Sequence, residues 1–454
     1  MEWVTYLLLA VPLLIASGLA VLLVLLLFVC HAKVQTGMWL VAAASLLQTV
    51  TGNAPILHLG IALYPGDLMS VVLGLVACVR LASQSRTGNS PLAWWVFSAA
   101  VLASLVTGLL SFGTTAGVQS RDYVHLVVVV SYLLSFQYDD QLLARLCSVL
   151  AALVWALVGL TVYRWIVYYT PIPSLLPPGG VYNVDGAIRV VWSSDALLMG
   201  IVLIGLAFFG EGAGAFKKAW PLTLVLLAVV VLLQHRSVWL AVLAGAVGPL
   251  VAGGRISVAM KRLILLSCVC TVVLAPILLS ERSAGLADEL GARTSSALLA
   301  QGTVSDRMQG WSAMLTKWSQ AGPRSIALGS SFGTPNTRYV ISSEGELRKV
   351  DYFAHNMYVQ TLFNTGLIGL GGFLAMLWWL LSRLRRGAAG QQLAAECRML
   401  FVFVLMITVY LVPYGAHYVQ GLVIGAGILC ARAADVSWSS RGASQGPSEC
   451  RHAA

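Results

Sequence analysis

From Val4 to Cys30 the chain runs for 27 residues without a charged side chain. A helix needs about 20 apolar residues to cross a bilayer core of about 30 Å. One such run at the start of a chain could be a signal peptide, but this one lacks a basic segment before it, so it reads as a retained span. It is also not alone. Further stretches with few or no charged residues lie near 37–52, 67–82, 92–111, 123–137, 142–162, 196–210, 219–234, 237–254, 263–280, 356–382, 399–413 and 418–431. The expected fold is therefore all-α: a polytopic bundle of about 12 transmembrane helices (12–13). The ambiguous part is 31–66, where Asn53, Pro55, His58, Pro65 and Gly66 interrupt the pattern and a re-entrant turn is an alternative. Composition closes off other classes. Only 10% of residues are charged, against about 25% in an average soluble domain. A soluble globule of this size could not coat its surface, so a cytosolic enzyme, a disordered chain and a nucleic-acid-binding module are all excluded. The net charge of +10 must be sorted by membrane side before it implies any partner.

Sorting the Lys and Arg residues orients the chain. One set of alternate short loops, with the tail, holds Lys33, Arg80, Arg86, Arg145, Lys217, Lys218, Arg255, Lys261, Arg262, Arg383, Arg385, Arg386, Arg398, Arg432, Arg441 and Arg451. The other set holds only Arg121, Arg164, Arg189 and Arg236. The first set is expected to be cytoplasmic and the second to lie on the outward face. The segment 281–355 falls on the second side, and a loop of that length translocates whatever its charge. All 8 cysteines lie in spans or cytoplasmic segments, so no outward disulfide is implied. Cys268 and Cys270, inside one apolar stretch, read as soft core residues rather than metal ligands. The resulting organisation is a transmembrane bundle over 1–280, a large outward loop over 281–355, C-terminal transmembrane helices over 356–436, and a Ser/Gly-rich cytoplasmic tail over 437–454, expected to be disordered.

Two outward segments can hold chemistry. The first, 163–195, contains Pro171, Pro173, Pro177, Pro178, Gly179 and Gly180, a rigid non-helical excursion that ends on Asp185, Arg189 and Asp195. The second, 281–355, is too long to be a plain connector. Within it Met308, Trp311, Leu315 and Trp318 fall on one face of an amphipathic helix, with Ser305 as the expected N-cap. Such a helix can lie on the membrane surface, form a platform over a site, or do both. Where this loop re-enters the membrane stands His355, followed by Asn356, Gln360 and Asn364 at every fourth position. A polar stripe on an apolar helix faces a bundle interior or a wet cavity, or hydrogen-bonds helices together.

The stretch His355-Asn356, followed by Gly366-Leu367-Ile368-Gly369, resembles the signature of the O-antigen ligase/O-antigen polymerase superfamily. So does the helix carrying Arg307, Trp311 and Trp318 and the following Leu328-Gly329-Ser330-Ser331-Phe332-Gly333. The resemblance covers about 303–372, and upstream Gln234-His235-Arg236-Ser237 and Arg189 are similar to the family's outward arginines. It implies a periplasmic-face, metal-independent glycosyltransferase of the bacterial inner membrane, without a cofactor. Such an enzyme moves a glycan from undecaprenyl diphosphate to a hydroxyl acceptor. On that reading His355 is the catalytic base, since imidazole titrates near neutrality. Arg189, Arg236 and Arg307 bind the departing diphosphate, since guanidinium forks suit phosphate oxygens. His235, next to Arg236, is the rival base; His58 and His417 are further outward histidines. Asn356, Gln360 and Arg338 are secondary candidates. No acidic pair or His/Cys cluster is spaced for a metal.

The resemblance implies first an O-antigen ligase, joining O-antigen to lipid A–core in lipopolysaccharide biosynthesis. The alternative is an O-antigen or exopolysaccharide polymerase using the same donor, with a growing glycan as acceptor. A flippase for the same lipid carrier would call for internal repeats and charges facing both sides. No convincing repeat is present, and the candidate residues gather on one side. Arg324, Arg338, Arg348 and Lys349 cluster in the second half of the long loop and are expected to line the acceptor entrance.

Overall fold

The structure, a computed structural model, describes residues 21, 23–58, 62–83, 91–177, 181–184, 187–209, 220–253, 303–341, 347–351, 354–390 and 393–444. Most of the expected first span, the stretch 263–280 with Cys268 and Cys270, and the opening of the long loop lie outside these residues. The helices are α1 (Leu23–Ala32), α2 (Val34–Val50), α3 (Pro65–Ser83), α4 (Leu92–Phe112), α5 (Thr114–Leu134), α6 (Leu142–Tyr169), α7 (Ser193–Phe209), α8 (Trp220–Leu232) and α9 (Arg236–Val251). There follow α10 (Thr303–Gln320), α11 (Pro323–Leu328), α12 (Met357–Ala389), α13 (Ala394–Tyr410) and α14 (Tyr418–Ser444). Three antiparallel two-stranded hairpins sit in the connections: β1–β2 (Leu57–His58, Ala62–Leu63), β3–β4 (Tyr182–Val184, Ala187–Arg189) and β5–β6 (Thr337–Ile341, Leu347–Asp351).

The protein is thus mostly helical. Five helices, α3, α4, α6, α12 and the Tyr418–Val436 part of α14, are long and apolar enough to cross a membrane. Several others are apolar but shorter, so the described residues do not establish 12 or 13 spans. In the ambiguous region 31–66, α2 is followed by the small β1–β2 hairpin. Helix α5 begins at Thr114, well before the expected start at 123, and takes Arg121 into the helix. That charge is tolerable because Asp67 of α3 meets it at 2.8 Å. Helix α6 extends to Tyr169, so the proline-rich excursion starts later than expected. Helix α14 continues to Ser444, into the tail expected to be disordered from 437. Once a helix is anchored by packing, each further residue adds a hydrogen bond, and weak local preferences do not stop it.

The core is a bundle in which α12 packs on α4, α13 and α14, α14 on α5, and α13 on α9. Its element ends sort by polarity of contact. At one end Arg80 donates to the carbonyls of His31 and Ser135, and Arg383 pairs with Asp435 at 2.7 Å. The other end carries the hairpin between α13 and α14 and every described candidate site residue.

Helix α12 is broken at Gly366, whose φ of 66° and ψ of −166° leave the helical region. Only glycine adopts this backbone without penalty. A break frees carbonyls that a continuous helix would use. Here Phe363 O accepts from Ser330 N–H at 2.8 Å, and Asn364 O accepts from the Ser104 hydroxyl at 2.8 Å. The 327–329 backbone presses so close that a Cβ on Gly366 would collide with the Ala327 carbonyl, and one on Gly329 with the Asn364 carbonyl. The two glycine-rich motifs of the sequence are therefore a single joint. It separates the short segment that starts at Met357 from the rest of α12, and so sets where His355 and Asn356 stand.

Candidate active site

The site is built where four connections meet: the turn before α12, the 411–417 hairpin, the β4–α7 connection, and the α8–α9 turn. Helix α10 supplies the platform beneath the first. Met314, Ala354 and Phe363 form a small buried cluster, against which Trp311, Trp318 and Val359 pack. The Trp311 indole N–H donates to the Ala354 carbonyl, one residue before His355. The helix begins at Thr303, ahead of the expected Ser305 cap, and its buried face differs from the expected one: Met314 is buried, whereas Met308 and Leu315 are exposed. The expected phase was right for the two tryptophans only. Inward packing against the turn at 354, rather than a continuous apolar stripe, decides which side is covered.

His355 sits on a left-handed backbone, with φ of 43°. A non-glycine residue there is uncommon and is held by its surroundings. Those restraints are visible. Asn356 Oδ1 accepts from the N–H groups of Tyr358 and Val359, the N-cap of α12. Gln360 Oε1 accepts from Ala354 N–H at 3.2 Å, and Met357 N–H donates to the carbonyls of Leu411 and Tyr414. Asn356 and Gln360, secondary candidates in the sequence, thus use their side-chain oxygens to shape the turn. Asn364, third in the stripe, is buried with both amide atoms unpartnered. The His355 ring reaches the surface, yet the atoms around it and then the nearby charge of Arg307 lower its pKa below the ordinary value. At neutral pH the imidazole is therefore an unprotonated base.

Arg307, on α10, reaches across to the hairpin. Its Nη1 donates to Pro413 O at 3.1 Å, and its guanidinium lies 4.9 Å from the centre of the Tyr414 ring. Tyr414 is stacked on Tyr410, with centroids 5.2 Å apart and planes 9° apart. The Tyr410 hydroxyl is 2.8 Å from the Ser193 hydroxyl, at the start of α7. Four residues earlier is Arg189, at the end of β4, with a buried Nε that has no partner. The next residue is held by Arg164 of α6, which donates to Val190 O and to Thr49 O, both at 2.6 Å.

His235 is buried, with Nε2 at 3.2 Å from Val191 O. A carbonyl partner requires a proton on Nε2, so Nδ1 carries the lone pair, and it is buried without a partner. Burial, then the charge of Arg189, push this imidazole down to about 3, with the Val191 hydrogen bond opposing them. His235 is therefore the less basic of the two histidines. Arg236 follows at the first position of α9, half-buried and engaged by its neighbours. The fold thus brings Arg307 to His355 and Arg189 to His235, and Tyr414 receives the charge of both arginines. Arg338 is in β5, with its backbone in register with Val350. His417 stacks on Tyr418 at 4.2 Å and belongs to a different polar cluster. Among the described residues no three His, Cys, Asp or Glu side chains gather as metal ligands.

Sequence reading missed Tyr414, Ser193 and Arg164. Tyr414 lies in the sequence between two uncharged stretches, and nothing local marks it as a partner of arginines distant in the chain. Arg164 carried one signal, a cation on the sparsely charged side.

The fold and these connections define a multi-helical membrane protein with a basic, histidine-containing site at one end of the bundle. Residues 221–374, from the first turn of α8 to the middle of α12, match the family model described as O-Antigen ligase, which supports the O-antigen ligase superfamily. The matched segment contains His235, Arg236, Arg307, Arg338, His355, Asn356 and Gln360. It supports a function of the O-antigen ligase and polymerase type, and with it a glycosyltransferase-like enzyme. Comparison with curated proteins gave no match.

Proposed function

We propose that the protein transfers a glycan from undecaprenyl diphosphate to a hydroxyl acceptor at the periplasmic face of the bacterial inner membrane. Lipid A–core is the acceptor, which makes the protein an O-antigen ligase. The observation that carries the reading is that the family match spans His355, Arg236 and Arg307, while Arg307 acts on His355 and on the Tyr414 ring. His355 takes the proton of the acceptor hydroxyl. The acceptor oxygen forms its bond to the anomeric carbon as the bond to the diphosphate oxygen breaks, and the electron pair leaves with the lipid diphosphate. Arg307, Arg189 and Arg236 offset the charge that develops there.

The depressed pKa of His355 suits this order of events. Before the donor arrives, burial and then the charge of Arg307 favour the unprotonated imidazole. Once an anionic diphosphate lies against Arg307, that charge is offset, and the imidazole regains affinity for a proton as it must accept one. The basic residues of the 324–349 stretch support an acceptor that carries core phosphates, the feature that favours lipid A–core over a neutral growing glycan. The test is purified protein given a lipid-linked glycan with and without lipid A–core. A single transfer that requires lipid A–core is expected. A ladder of lengthened lipid-linked glycans, formed without lipid A–core, would make the protein a polymerase.

A further inference from the structure

The 411–417 hairpin holds an aromatic residue where the basic side chains meet. Tyr414 is immobilised from several directions: its ring by the stack on Tyr410, its carbonyl by Met357 N–H at 3.1 Å, and its neighbour Pro413 by the Arg307 guanidinium. Burial alone would raise the pKa of this phenol. Instead Arg307, first through its charge and then through a hydrogen bond, outweighs burial, with help from Arg189 and from a hydrogen bond with Ser193, and the phenol is held below its ordinary pKa. Guanidinium groups have donors and no acceptors, so Arg307 can only donate to the phenol oxygen. The phenol proton must then point elsewhere, toward Ser193 or toward whatever occupies the space between the arginines. An O–H polarised by two cations is a strong donor to an anion.

We propose that Tyr414 is a further substrate-binding residue: held between Arg307 and Arg189, its hydroxyl donates a hydrogen bond to a phosphate oxygen of a diphosphate. This rests on the proposed diphosphate-linked donor. It adds a neutral donor to a set of cations, and gives the site a group whose direction is fixed by an aromatic stack rather than by a flexible stem. The competing role, a ring that merely supports Arg307, needs no hydroxyl at all.

Tyr414→Phe separates the two roles, because it keeps the stack, the face presented to Arg307 and the backbone. Full-length protein in lipid nanodiscs is titrated with inorganic diphosphate and assayed with the lipid-linked donor. The variant is expected to bind diphosphate and donor about tenfold more weakly, the equivalent of one hydrogen bond to a charged group. Its KM for the donor should rise more than its kcat falls, and its melting temperature should stay close to wild type. As a second measurement, a fluorotyrosine in place of Tyr414 is followed by fluorine NMR. Inorganic diphosphate should move its resonance and raise its titration midpoint, as the anion offsets the two cations. A Tyr414→Phe protein that binds diphosphate and donor as tightly as wild type would overturn the assignment. So would a fluorotyrosine signal blind to diphosphate that does bind. If wild-type protein binds no inorganic diphosphate, the arginine clamp itself fails and this inference falls with it.

Discussion

Two polar clusters flank the 411–417 hairpin, and they are built on opposite principles. On one side Asp67 accepts from Arg121 at 2.8 Å and meets His125 at 3.1 Å, with Tyr418 packed edge-on to His125 at 5.6 Å. Tyr418 in turn donates to Gln48 Oε1 at 3.0 Å. Cation and anion are matched within the protein. On the other side Arg307 is directed at a carbonyl and a ring, Arg189 has an unpartnered buried Nε, and the charges of both fall on neutral imidazoles and a phenol. A cluster that pairs cation with carboxylate holds helices together. One that sets cations against neutral imidazoles and a phenol suits the anionic donor of the proposed function. The comparison teaches that charge bookkeeping, more than burial or polarity, separates the structural cluster from the candidate active site.

The largest effect should come from removing the base. His355→Asn suits the left-handed backbone, since Asn tolerates positive φ, and it removes the proton acceptor. Turnover should fall by roughly 10²–10⁴-fold with unchanged yield of folded protein. Near-full turnover would move His355 into the structural group and erase the contrast.

Next comes the converse test on the matched cluster. Asp67→Asn leaves Arg121 and His125 without their carboxylate and should cost about 2 kcal/mol of stability, allowing for partial exposure. It should show as a lower melting temperature, while turnover per folded molecule stays within about threefold. Loss of turnover at unchanged stability would place this cluster in the reaction.

The pH dependence sharpens the link between Arg307 and His355. The base works unprotonated, and its pKa is lowered, so the acid limb of the rate profile should lie below that of an ordinary histidine. Arg307→Gln removes a cation that disfavours protonation. The pKa then rises, and the acid limb should move to higher pH along with the loss of rate. An unmoved limb would mean that Arg307 does not act on the base.

The smallest effect concerns His235. Its folded pKa, about 3, lies below the unfolded value, so folding keeps it neutral while the unfolded chain takes up a proton. Its contribution is complete above about pH 6.5 and declines as pH falls toward the folded value. His235→Gln should flatten the loss of thermal stability between pH 7 and about 4. An unchanged slope would show that His235 is protonated in the folded protein or contributes no linkage.

The helical class, the membrane environment and the grouping of Arg307 with His355 were legible because they rest on local signals: long uncharged runs, a charge asymmetry between loops, and motifs close in sequence. The same locality explains the errors. The start of α5 was misplaced because Arg121 looks like a loop charge until Asp67 is set beside it. Asn356 and Gln360 read as a polar stripe facing a bundle interior or a cavity, or joining helices, and the structure adds that their oxygens cap the turn at 354–359. The buried face of α10 went to Met314, because a helix chooses its side by what it packs against.

By itself the sequence determined that this chain is a helical membrane protein, and it named the arginines and the histidine from which a site could be assembled. Uncharged runs and residue chemistry do not depend on distant partners. Only the tertiary structure decided that Arg121 meets a carboxylate while Arg307 lies against a carbonyl and a ring. It joined Gly329 to Gly366 to break α12 beneath His355, and it carried Tyr414 between Arg307 and Arg189. These contacts link residues far apart in the chain, and their energies depend on through-space proximity and exclusion of water, neither of which is written in local sequence.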